Sequence, residues 1–114
     1  MDSCLFCKII EKKIPSSIVF EDELCIGFKD INPIAPTHVL FIPKKHIESL
    51  NDIISSDESI VGHILGVVSR YAKEQNLDKT GYRVVNNMGK DGGQTVFHLH
   101  FHLVGGKSFG WPPG

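Results

Sequence analysis

Three of the six histidines fall at every second position in Val96-Phe97-His98-Leu99-His100-Phe101-His102-Leu103-Val104, and the residues between them are large and apolar. Successive side chains of an extended strand point to opposite faces. The spacing therefore predicts a strand with His98, His100 and His102 on one face and Phe97, Leu99, Phe101 and Leu103 packed into a core on the other. Three imidazoles on one face suit metal ligation or nucleophilic and acid/base work. Alternate residues lie about 6.6 to 6.8 Å apart, which puts the outer pair roughly 13 Å apart at the backbone. Neighbours can share one ion, but all three can hardly do so, and at least one histidine is left for acid/base or nucleophilic chemistry.

The elements that must position this strand can be read in order. Residues 3–13 predict a short helix, with Phe6, Ile9 and Ile10 at helical spacing and Ile14-Pro15 ending it. Cys4 and Cys7 would be neighbours on one turn, a spacing that fits a metal clip, a redox pair or two small buried residues. Residues 18–21 and 24–30 predict a hairpin closed at Asp22-Glu23, with Cys25 as a small buried hydrophobe. Two Pro-containing pairs, Asn32-Pro33 and Ala35-Pro36, make a rigid loop before a strand that runs from about His38 to Pro43. His46, after a solvated Lys44-Lys45 turn, is a surface residue or a metal ligand.

Ser55 and Glu58 stand at capping-box spacing and open the main helix, which continues to about Asn76 with an apolar stripe of Ile60, Ile64, Val67, Val68 and Tyr71. His63 falls off that stripe and is expected to be exposed, without a chemical role. Residues 81–87 predict a further strand, and the glycine-rich turn at residues 88–93 returns the chain to the histidines. Such a turn serves a hairpin or offers N–H groups to phosphate oxygens, and its place beside Gln94, Thr95 and three histidines favours phosphate. The expected fold class is α+β: a mostly antiparallel sheet of about five strands, a short N-terminal helix and one long central helix.

A chain of 114 residues suits a single domain, residues 1–114, and the proline-rich residues 105–114 are too short to form a core of their own and are expected to be a tail. A formal net charge of −1 gives no basic footprint for a nucleic-acid polymer or a membrane surface. With no signal peptide, no apolar run that could span a bilayer and an odd number of cysteines, a cytoplasmic location is expected. No redox or organic cofactor is expected.

The pattern His-x-His-x-His-x followed by an apolar residue resembles the signature of the histidine triad superfamily of nucleotide hydrolases and transferases. Asp30-Ile31-Asn32-Pro33-Ile34-Ala35-Pro36-Thr37-His38, Ile42-Pro43-Lys44-Lys45-His46, Asp91-Gly92-Gly93-Gln94 and Trp111-Pro112-Pro113-Gly114 resemble its nucleotide-binding-protein branch. The resemblance covers the whole chain in order. It implies a purine nucleoside phosphoramidase acting on adenosine 5'-monophosphoramidate and aminoacyl-adenylate-type compounds. The alternatives are a dinucleoside polyphosphate hydrolase of a sister branch, or a nucleotide- or zinc-binding interaction protein.

By matching position, the resemblance makes His100 the nucleophile that carries a nucleotidyl intermediate. His102 then meets the phosphate or assists protonation, Thr95 sits beside the leaving group in place of the family's usual serine, and His38 supports the site. Phosphate contacts fall to Asn87, Gly93, Gln94 and Thr95 with His100 and His102. The nucleoside pocket of a purine nucleotide such as AMP or GMP falls to Phe6, Ile9, Phe28, Asp30 and Ile31. A structural zinc ion is implied on Cys4, Cys7, His46 and His98, so the resemblance gives His98 two roles, one among the catalytic histidines and one as a zinc ligand that orients the strand. A homodimer is implied, with Trp111 in the tail reaching towards the partner's site.

Overall fold

The computed structural model describes residues 3–114. Five strands form one antiparallel sheet in the order β1-β2-β3-β5-β4: β1 Ile18–Glu21, β2 Cys25–Lys29, β3 Thr37–Pro43, β4 Tyr82–Val85 and β5 Phe101–Gly105. Three helices accompany it: α1 Leu5–Ile10, the long α2 Glu58–Glu74 and the single turn α3 Leu77–Thr80. The expected α+β architecture, with its short first helix and long central one, is the one found. Among the described residues no helix is long and apolar enough to cross a membrane.

Strand alternation divides the core in two. Cys25, Val39, Phe41, Phe101 and Leu103 face α2 and pack with Ile64, Val67, Val68 and Ala72. Ile26, Phe28, Leu40 and Ile42 face the other way and pack with Phe6 and Ile9 of α1. In the β3/β5 register Leu40 pairs with His102 and His38 with Val104, which makes His38 and His102 diagonal neighbours on the α1 side. The sheet thus gives one face to stability and the other to a cleft.

Gly27 leaves room for the Phe41 ring on the α2 side of the sheet. A Cβ there would lie 2.6 Å from Cε1 of the fully buried Phe41 ring. Gly27→Ala is expected to destabilise the fold by about 1–3 kcal/mol, the usual cost of overpacking. An unchanged urea midpoint would contradict it.

Three local expectations need correction. The histidine stretch is not one strand: β5 begins only at Phe101, and the chain bends at residues 96–98 on its way into it. Strict alternation is therefore lost at the front, and Phe97, expected in the core, is 62 % exposed while Val96 packs against the α1-side cluster instead. At the entrance to α2 the cap is not Ser55 with Glu58, because residues Ser55–Asp57 form a 3-10 turn. There the Asp57 carboxylate accepts the Ile54 N–H at 3.2 Å and a hydrogen bond from Lys45. His63 is not a bare surface group either: its Nε2 meets Asp22 Oδ2 at 2.6 Å, tying α2 to the β1/β2 turn. Asp22 Oδ1 accepts the Leu24 and Cys25 N–H groups at 2.8 and 2.9 Å, which closes that turn. Burial raises the Asp22 carboxyl, but the His63 contact and these two N–H donors outweigh it and bring it down to about 2.

Candidate active site and metal centre

Each imidazole of the triad has one nitrogen fixed by the chain, and the fixed nitrogen determines what the other can do. His100 Nδ1 lies 2.7 Å from the main-chain oxygen of His98. A carbonyl only accepts, so Nδ1 carries a proton, and in the neutral ring Nε2 keeps a free lone pair. His38 Nδ1 accepts the Ile34 N–H at 3.2 Å, which puts the His38 proton on Nε2, 2.9 Å from His102 Nδ1. His102 therefore accepts at Nδ1 and carries its own proton on Nε2. A bare lone pair on His100 stands beside an N–H on His102, with ring centroids 5.1 Å apart.

Burial favours the neutral form of both groups that set this pattern. Burial brings His102 down to about 4, with His100 and His38 adding to the shift. Burial lowers His38 as well, against the upward pull of the Asp30 carboxylate 3.4 Å away. The unfolded imidazole binds its proton near pH 6.5 and folded His102 only near 4, so between those values the unfolded state binds more protons. Stability is expected to be full above about pH 6.5 and to fall as the pH drops towards 4. A urea midpoint equal at pH 7 and pH 5 would contradict the neutral pair.

The imidazoles of His100 and His102 stand in the wall of a cleft of about 340 Å³. Phe6, Ile9 and Leu40 line it from α1 and β3, and Phe28, Asp30 and Thr95 from β2 and the flanking loops. Phe6 meets Phe28 edge-on at 5.3 Å and His100 at 5.2 Å, forming a rigid aromatic corner. All five residues expected to hold a nucleoside line this cleft. Ile31, 91 % exposed, stands at its rim.

The phosphate-side residues divide differently. Thr95 lines the cleft, whereas buried Gln94 spends its side chain on the chain itself, donating to the Glu48 and Val96 carbonyls and accepting the Gly89 N–H. The Gly93 and Gln94 N–H groups go to the carbonyls of Lys90 and Gly89. Asn87 donates to the Gly92 carbonyl at 2.7 Å and braces the turn. Gly93 has φ +78°, a conformation that glycine adopts without strain. Asn86, not singled out in the sequence, donates to the His100 carbonyl at 3.0 Å and so fixes the main chain of that residue. An Asn-Asn pair at the end of a strand was the available signal.

The fourth side of the triad faces sulfur. Cys4 Sγ lies 3.3 Å from His98 Nδ1, and Cys7 Sγ lies 3.3 Å from His46 Nδ1 and 3.6 Å from His98 Nδ1. Zinc–sulfur and zinc–nitrogen bonds of ordinary length in a tetrahedron imply S···N edges of about 3.5 Å. His98, fully buried, donates Nε2–H to the Pro43 carbonyl at 2.8 Å, which turns its Nδ1 lone pair towards both thiols. The Cys7 N–H also points at Cys4 Sγ, at 3.3 Å. The four donor atoms thus fit a closed tetrahedral ion, and no position is left for water. Without a cation, burial and the neighbouring Cys4 push the Cys7 thiol up to about 11. The cluster of Asp22, Cys25 and His63 does not fit an ion, because its 2.6 Å N···O contact is a hydrogen bond and too short for two ligands of one metal.

Fold and site together define an α+β domain with a histidine pair at the head of an apolar cleft. The family described as "Scavenger mRNA decapping enzyme C-term binding" matches residues 3–110. A HIT family hydrolase from Legionella pneumophila Philadelphia 1 superposes with a TM-score of 0.96 at 47 % identity, over 98 % of this chain and 100 % of that one. The 14 kDa zinc-binding protein of Zea mays is 48 % identical over 96 % of this chain and 87 % of its own length. The histidine triad nucleotide-binding protein of Candida albicans gives a TM-score of 0.83 at 40 % identity, covering 96 % of this chain and 83 % of that one. The chain belongs to the histidine triad superfamily.

Proposed function

We propose that this protein hydrolyses purine nucleoside phosphoramidates, including aminoacyl-adenylate-type compounds, to the nucleoside monophosphate, with His100 as the nucleophile. The supporting observation is the pair of complementary tautomers: a free Nε2 lone pair on His100 beside an N–H on His102 at the head of the cleft. The purine lies between Phe6, Ile9 and Phe28, and Asp30 accepts hydrogen bonds from the ribose hydroxyls.

In the first half-reaction the His100 lone pair forms a bond to phosphorus. His102 Nε2–H meets the phosphoryl oxygens where charge accumulates. The electron pair of the breaking P–N bond leaves with the amine, which takes a proton from solvent past the Thr95 hydroxyl. In the second half, water adds to phosphorus and gives up a proton, and the lone pair returns to His100. One water is consumed and both imidazoles end as they began.

Zinc on Cys4, Cys7, His46 and His98 has a structural role in this reading, supported by the donor geometry and by the zinc-binding relative from Zea mays. When bound it supplies fixed geometry and charge neutralisation for two thiolates. A cytoplasmic location, where thiols stay reduced, would keep Cys4 and Cys7 available as ligands. The homodimer is part of the same proposal. Arg83 on edge strand β4 donates to the Gly110 carbonyl and covers the Phe109 ring at 5.3 Å, and Trp111 just beyond is 84 % exposed and available to a second copy.

The experiment compares turnover of adenosine 5'-phosphoramidate with that of diadenosine polyphosphate. Preference for the phosphoramidate is expected. Preference for the dinucleotide would move the protein to the sister activity, and AMP binding without turnover of either would make it a binding module.

A further inference from the structure

The metal donors and the nucleophile meet in one residue. His98 turns Nδ1 to the two thiols and gives its main-chain oxygen to His100 Nδ1–H at 2.7 Å. A second link runs through α1. Phe6 lies between Cys4 and Cys7 in the chain, and its ring meets His98 at 6.0 Å and His100 at 5.2 Å, edge-on to both. Six residues of helix do not hold together in water without tertiary contacts. α1 is held by the apolar seats of Phe6 and Ile9 and by the two sulfurs that flank its first turn.

We infer that the metal centre and the nucleotide cleft are thermodynamically coupled through His98 and Phe6, with His98 as the positioning residue for the nucleophile. The inference rests on the nucleotide reading above and goes beyond it. His98 reacts with nothing; its ring, held between the Pro43 carbonyl and the donor set, aims the carbonyl that keeps the His100 proton on Nδ1. When the donor set is emptied, α1 loses two of its anchors, and Phe6 loosens from both imidazoles. The free energy lost by the cleft must equal that lost by the donor set, because coupling between two sites is reciprocal.

The test uses the full chain in zinc-loaded, chelator-stripped and zinc-restored forms. AMP affinity by calorimetry is expected to fall at least tenfold on stripping and to return with zinc. Saturating AMP is expected to slow zinc release to a chelator from the loaded protein. Nitrogen-15 spectra of the His100 ring are expected to change from one tautomer, protonated at Nδ1, to a mixture on stripping and to revert on restoration. Phe6→Leu retains all four donors and is expected to bind zinc normally while the effect of stripping on AMP affinity shrinks.

Equal AMP affinity in the loaded and stripped forms with an unchanged His100 spectrum would overturn the inference. If the stripped chain unfolds, zinc release with and without AMP, measured on the loaded protein, decides: equal rates overturn it. If the loaded protein fails to bind AMP, the nucleotide reading falls, and the His100 spectrum alone then shows whether the donor set controls the tautomer.

Discussion

His100→Ala is expected to lower turnover of adenosine 5'-phosphoramidate by at least about 10³, the scale of loss when a covalent nucleophile is removed. AMP affinity is expected to stay within about tenfold, because the walls contributed by Ile9, Phe28 and Asp30 remain. The two effects separate because the Nε2 lone pair acts only as the new bond forms, whereas the purine and ribose contacts exist before and after it. His100 is buried and its ring packs on Phe6, so circular dichroism and the urea midpoint must accompany the kinetics. A folded variant with turnover within tenfold of the parent would remove His100 from the nucleophile's role. His102→Ala should lose less than His100→Ala, because it removes a donor and leaves the attacking group in place.

Removal of the metal is expected to have the largest effect on stability. An ion held by two thiolates and two imidazoles would tie residues 4 and 7 to residues 46 and 98, and so join α1 to the end of β3 and to the approach to β5. Metal affinity in such a set is folding free energy, because the unfolded chain offers no preformed site. A loss of even about 3 kcal/mol corresponds to a fall of roughly 10 °C or more in Tm for a domain of this size. Chelator treatment, and separately Cys7→Ser, are each expected to lower Tm by at least that amount, and a second chelator addition to Cys7→Ser is expected to do little more. A Tm unmoved by the chelator, with no zinc in the protein as purified, would contradict the metal reading. Cys25→Ser should leave zinc content unchanged, since Cys25 lies on the α2 side of the sheet and away from the four donors.

How much of this was legible follows from how local each cause is. Strands β1, β2 and β3 and helix α2 were readable within a few residues, because alternation and the helical stripe are short-range patterns and the core rewards them directly. The same rule misplaced Phe97. Alternation holds only while the chain stays extended, and the bend before Phe101 releases Phe97 to solvent. That bend reflects His98 turning to partners more than fifty residues away, the sulfurs of Cys4 and Cys7 and the Pro43 carbonyl, a demand no local window contains. His63 was misjudged for the same reason, since its partner Asp22 is 41 positions distant.

The candidate site was legible as residue types and not as protonation. Spacing put His98, His100 and His102 forward, and the resemblance added His38, Asp30 and Phe6. Which nitrogen of each ring is free depends on the carbonyls of His98 and Pro43 and on the Ile34 N–H, and main-chain groups leave no trace in a sequence. The phosphate turn shows the reverse case. Its glycines drew attention as N–H donors, yet the Gly93 and Gln94 N–H groups are used within the turn and Gln94 braces the loop, leaving Thr95 and the imidazoles facing the cleft.

The central claim is a covalent nucleotidyl bond to His100 Nε2, and rapid quenching tests it most directly. The protein is mixed with adenosine 5'-phosphoramidate, quenched in alkali, where a phosphorus–imidazole bond survives, digested and mapped by mass spectrometry. One adenylyl group on His100 is predicted, absent from His98 and His102 and discharged by brief acid. An adenylyl group on another residue, or none at any quench time while AMP still accumulates, would contradict the account.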